Sequence, residues 1–64
     1  MAEPIRVLLV DDQSLVRSGF RMLIDSEDDM AVVGEASNGA EALEKLRTIE
    51  VDVALMDIRM PVMD

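Results

Sequence analysis

The stretch Ile5-Arg6-Val7-Leu8-Leu9-Val10 runs straight into two adjacent carboxylates, Asp11 and Asp12. It is aliphatic apart from Arg6 and rich in β-branched residues, the pattern of a strand buried on both faces. A strand of that kind needs cover above and below, and parallel sheets obtain it from crossover helices. The next segment supplies one. In residues 14–25, "SLVRSGFRMLID", the apolar period changes: Leu15, Val16, Phe20, Leu23 and Ile24 recur at three- and four-residue spacing. This spacing predicts an amphipathic helix, weakened by Gly19 at a cost of about 1 kcal/mol relative to alanine.

The alternation then repeats. After the acidic connection "DSEDDM", the segment "AVVGEA" (31–36) predicts a second strand, and residues 38–49 a second helix. Asn38 with Glu41 three residues on has the spacing of a capping box, and Ala42, Leu43, Leu46 and Ile49 form its apolar stripe. "VDVALMD" (51–57) predicts a third strand, and Pro61 just beyond it cannot donate to a ladder. A β-α-β-α-β order implies parallel strands joined by right-handed crossovers. The expected fold is α/β, a flavodoxin-like doubly wound parallel sheet with strand order 2-1-3 and the two helices on opposite faces.

In such a sheet, ligands bind beyond the carboxyl ends of the strands where the order reverses, between strands 1 and 3. Asp11 and Asp12 end strand 1, and Asp57 ends strand 3. Three acids from distant segments thus meet where the architecture makes a pocket. Neighbouring carboxylates raise one another's pKa unless a cation neutralises them. The sequence has no cysteine and no histidine, so the metal ligands available are oxygens, which suit magnesium, manganese or calcium. The bland alternative is that Asp12 or Ser14 caps the first helix.

Composition removes several classes. Fourteen acids against 6 bases give a net charge of −8, which argues against direct contact with nucleic acid by this segment. No apolar run approaches the ~20 residues of a membrane span. The start of the chain has no signal-peptide pattern, and a cytoplasmic location is expected. No EF-hand spacing or phosphate-binding glycine loop is present, and Gly39 reads as a helix-start residue.

Taken together, "VLLVDDQSLVRSGF", "EASNGAEAL" and "VDVALMDIRMPVMD" resemble the receiver (CheY-like) domain of two-component response regulators. They resemble most the NarL/FixJ/LuxR-type subgroup that carries a C-terminal helix-turn-helix. The likeness runs from about Ile5 to Asp64. It implies a phosphoacceptor switched by aspartyl phosphorylation with Mg2+, its parent a DNA-binding transcription regulator. Asp57 would be the acceptor. Asp12 would bind the metal directly, Asp11 directly or through water, Asp57 as well, and Arg59 through its backbone carbonyl. Met60 and Pro61 would shape the loop after the acceptor. The phosphoryl donor would be a phosphohistidine on a sensor histidine kinase, docking on the first helix, where Leu15, Val16 and Arg17 are candidates. The domain would not be an enzyme beyond self-catalysed phosphotransfer.

The family sheet continues to five strands in the order 2-1-3-4-5. Residues 1–64 are accordingly expected to be the N-terminal half of a receiver, a truncated fragment with no output domain. The hydroxyl that ends the fourth strand and the lysine that ends the fifth would be absent. Strand 3 would then be an edge, and a two-fold homodimer pairing strand 3 with its copy, antiparallel, is expected to cover it. The competing reading is a phosphorylation-incompetent fragment acting only as an interaction module. Of the six methionines, Met22, Met30 and Met56 are expected in the core or anchoring loops, with Met60 and Met63 more open to a partner.

Overall fold

In the computed structural model, residues 3–57 are described, Asp57 by its backbone alone. The elements are β1 (Ile5–Asp11), α1 (Ser14–Asp25), β2 (Met30–Ala36), α2 (Gly39–Thr48) and β3 (Val53–Asp57). β1 lies between the other two strands and pairs parallel with both, so the order is β2-β1-β3. The class and strand order are those expected of a doubly wound sheet.

The central position of β1 follows from its side chains. Leu8 and Val10 face α2 and pack with Ala36 and Ala42, with Val51 alongside. Val7 and Leu9 face α1 and pack with Ile24, flanked by Phe20, Met30 and Val32. Leu8, Leu9 and Val10 are the largest fully buried side chains among the described residues, each worth about 1.5–3 kcal/mol of burial. The two helices therefore lie on opposite faces. Among the described residues both pack on β1 and β2, and neither packs on β3.

That limited cover corrects the apolar stripes read from sequence. On α1 only Val16, Phe20 and Ile24, four residues apart, turn toward the sheet, whereas Leu15 is 84% and Leu23 66% exposed. On α2, Ala42 is buried and Ile49 half-buried, but Leu43 and Leu46 are exposed. Met30 packs as expected, while Met22 and Met56 stand in solvent. A helix of 3.6 residues per turn buries one stripe, and the sheet beneath these helices is too narrow to take more.

β3 begins at Val53, two residues later than expected. The cause is Asp52, whose carboxylate accepts from the Arg6 backbone N–H at 2.8 Å and from Arg6 Nε at 3.0 Å. Its own N–H donates to the Arg6 carbonyl at 2.8 Å. This fork fixes the entry to β3 against β1 and holds the Asp52 carboxyl below the usual aspartate range through its hydrogen bond from Arg6.

β2 carries an irregularity that the sequence did not announce. Val32 pairs with Val7 and Gly34 with the very next residue, Leu8, so Val33 is an extra residue. A bulge of this kind reverses the facing of everything after it. Gly34 turns toward α2, where a Cβ would sit 2.9 Å from Ile49 Cδ1 and 3.2 Å from Leu8 Cδ1. Glu35 turns instead toward α1, beside Leu9. Gly34→Val is therefore expected to lower the unfolding free energy by about 1–3 kcal/mol through overpacking, read from the chemical-denaturation midpoint. An unchanged midpoint would contradict the close packing of β2 on Leu8 and Ile49.

Candidate functional site

β1 and β3 end together, with Asp11 paired to Asp57 in the ladder. Adjacent strands lie about 4.8 Å apart, so the backbones of two of the expected acids are brought side by side from positions far apart in sequence. Asp12 follows at once and is exposed at the mouth of the sheet. The Asp57 side chain, Arg59, Met60, Pro61 and Met63 lie outside the described residues.

Asp11 is the informative member. It is the buried charged residue at the end of the hydrophobic strand, only 3% exposed. Its Oδ1 accepts the Gln13 backbone N–H at 2.8 Å, an Asx turn that swings the chain from β1 into α1. Its Oδ2 is buried and has no hydrogen-bond partner among the described residues. An orphaned buried carboxylate oxygen is costly, and a water or cation commonly satisfies such a group. An oxygen-bound divalent ion fits that atom, with exposed Asp12 one residue away. Among the described residues no three acidic side chains form a cluster able to hold a metal; the other ligands expected, the Asp57 carboxylate and the Arg59 carbonyl, belong to the undescribed part.

The capping alternative for the double aspartate is corrected. The N-cap of α1 is Gln13, without a side-chain cap bond, and neither Asp12 nor Ser14 takes that place. The N-cap amide of Gln13 is committed to Asp11, and among the described residues Asp12 makes no side-chain hydrogen bond. The box at α2 forms with one change. Asn38 accepts the Glu41 N–H at 2.9 Å, but the Glu41 carboxylate returns to Ser37, backbone and hydroxyl, both at 2.8 Å, rather than to Asn38.

Arg17, expected to be available to a partner, is engaged. Its Nε donates to Glu35 Oε1 at 2.9 Å and its Nη1 to the Asp11 backbone carbonyl at 2.7 Å. Arg21, one turn on, donates to the other Glu35 oxygen. The Glu35 carboxyl is consequently held below its ordinary range, first by the hydrogen bond from Arg17. Sequence reading missed this link. The available signals were a lone glutamate in an apolar strand and two arginines at i,i+4 spacing; the bulge that turns Glu35 toward them leaves no clear trace in the sequence. Leu15 remains exposed on α1, and Val16 is half-buried.

Comparison with known proteins agrees with this geometry. The family model described as "Response regulator receiver domain" matches residues 7–64, and the chain belongs to that family. It is 49% identical over 59 residues to a protein-glutamate methylesterase/protein-glutamine glutaminase of Syntrophomonas wolfei, covering 92% of this chain and 17% of the relative. To the response regulator GacA of Pseudomonas viridiflava it is 49% identical, covering 89% of this chain and 27% of the relative. To the nitrate/nitrite response regulator protein NarL of Escherichia coli it is 42% identical, covering 97% and 29%. The crystal structure of the response regulator domain of Thermotoga maritima CheB superposes with a TM-score of 0.85 at 49% identity, covering 92% of this chain and 44% of that one. The fold is thus that of a CheY-like receiver, and the chain spans less than a third of the length of these three relatives and under half of the solved domain. Among the described residues no helix is long and apolar enough to cross a membrane.

Because the folded state lowers the Glu35 pKa, its pairing stabilises the fold fully above the unfolded glutamate value of about 4.3 and loses that contribution as pH falls through the folded value. The stability gap between wild type and Glu35→Gln is expected to be widest near pH 7 and to shrink as pH falls below the unfolded value of about 4.3 and through the lower folded value, measured by urea denaturation across pH. A gap independent of pH would contradict the ion pair.

Proposed function

We propose that this chain is the phosphoaccepting part of a two-component response regulator, with Asp57 as acceptor. The observation that carries the reading is the pairing of Asp11 with Asp57 at the ends of neighbouring parallel strands, with a buried Asp11 oxygen, unpartnered among the described residues, beside the exposed Asp12. The Asp57 carboxylate attacks phosphorus, the P–N bond to a kinase histidine breaks, and the imidazole leaves with its electron pair and takes a proton. Asp11, Asp12, Asp57 and the Arg59 carbonyl would hold Mg2+, which when bound neutralises charge on the carboxylate and the phosphoryl oxygens. Asp11, fixed by its bond from Gln13, presents one oxygen inward. Asp12 is exposed beside it.

For the whole protein we favour a cytoplasmic, DNA-binding transcription regulator acting with a sensor kinase, in keeping with the 45% identity to the transcriptional regulatory protein LnrK of Bacillus subtilis. The 49% identity to a methylesterase relative supports a second reading, in which the receiver governs a catalytic output domain. In the chain as it stands, β3 exposes Val53, Leu55 and Met56, and pairing with the β3 of a second copy would cover that edge.

The test is mass spectrometry after incubation with Mg2+ and acetyl phosphate. The expected result is a gain of one phosphoryl group, about 80 Da, in wild type, absent in Asp57→Asn and reduced in Asp12→Ala. Native spectra of the same samples report monomer or dimer. Equal labelling of wild type and Asp57→Asn would overturn Asp57 as acceptor.

A further inference from the structure

The geometry points to Arg17 as a positioning residue, locked by Glu35, that fixes the Asp11–Asp12 turn in the shape a divalent cation requires. The inference rests on the cation reading given above and assigns roles to two residues outside the acid set.

β1 runs one residue past its last pairing with β2, which is Val10 with Ala36. Arg17 supplies a donor to the carbonyl of that extra residue, Asp11, at 2.7 Å. A guanidinium presents its donors in a rigid planar fork, so the same group that reaches Asp11 also reaches Glu35, at 2.9 Å. The Arg17 N–H meanwhile closes the first turn of α1 on the Gln13 carbonyl at 3.0 Å, and the Gln13 N–H closes the Asx turn on Asp11. Of the peptide groups on either side of Asp12, the first is thereby tied to α1 through Arg17 and the second to the end of β1 through the Asp11 carboxylate.

Glu35 holds the fork in place because it is itself gripped twice, by Arg17 and by Arg21. It reaches them because the extra residue Val33 turns it from the α2 face to the α1 face. The chain of dependence runs from the β2 bulge to Glu35, to Arg17, to the Asp11 carbonyl and so to the acidic turn. With Arg17 removed, the Asp11 carbonyl loses that donor, and a buried carboxylate with one oxygen unpartnered among the described residues gains freedom to turn outward.

The test has two readouts. In the metal-free chain, amide hydrogen exchange of Gln13, taken relative to that of Leu8, reports the Asx turn without any cation. Arg17→Ala is expected to speed it by about five-fold or more, Glu35→Gln by a smaller factor, and Arg17→Lys to restore it only in part. Arg6→Ala, which removes a comparable fork at the opposite end of β1, should leave the ratio unchanged. Mn2+ affinity, followed by electron paramagnetic resonance, should weaken about three- to ten-fold in Arg17→Ala and hold in Arg47→Ala, which removes the same charge from the exposed face of α2. Unchanged Gln13 exchange, or unchanged affinity in a chain that binds Mn2+, overturns the proposal. A wild-type chain that binds no Mn2+ refutes the cation reading instead, and the Gln13 exchange then still decides whether Arg17 positions the turn.

Discussion

The structure depends on one strand that is buried on both faces and ends in charge. Val7 to Val10 are enclosed by side chains from α1 and α2 at once, so β1 can only be central. Its parallel partners and their crossovers follow from that. The same burial carries Asp11 to the edge of the core as a nearly inaccessible carboxylate. Among the described residues one of its oxygens has no partner, which costs free energy that a purely structural residue would not be expected to waste. The site is thus a direct consequence of the core, since the strand that organises the sheet also delivers the acid.

Two arginine forks brace β1 at its two ends. At its start, Arg6 grips Asp52 and Glu50 and sets the entry of β3. At its finish, Arg17 grips Glu35 and the Asp11 carbonyl. With 14 acids and only 6 bases in the chain, arginines are scarce, and three of them are spent on these contacts, Arg21 being the third through its grip on Glu35. Surface ion pairs contribute little individually. Their value here lies in geometry: the first fixes register between β1 and β3, on which the juxtaposition of Asp11 and Asp57 depends, and the second fixes the turn.

Much of this was legible from residue order. Period changes located all five elements, the double aspartate and Asp57 marked the strand ends, and the motifs placed the family. What could not be read was set by tertiary detail. The stripe on α1 narrowed to Val16, Phe20 and Ile24 because only β1 and β2 lie beneath it. Asp12 and Ser14 were plausible caps by type, yet the competing Asx turn from Asp11 took the Gln13 amide. Glu35 was not singled out in the second strand, and the bulge at Val33 is what turns it toward α1. A one-residue irregularity has no compositional signature, and its effect on side-chain direction is complete.

The most direct measurement is a titration of the isotopically labelled chain with Mn2+, recording which backbone amide signals broaden first. If the strand-end aspartates share a cation, the signals of Asp11, Asp12, Gln13, Met56 and Asp57 fade first, while those at the opposite end of the sheet persist. Broadening centred instead on the acidic connection Asp25–Asp29, with the strand ends unaffected, would mean that charge density alone attracts the ion, and that Asp11 and Asp57 are neighbours without a common function.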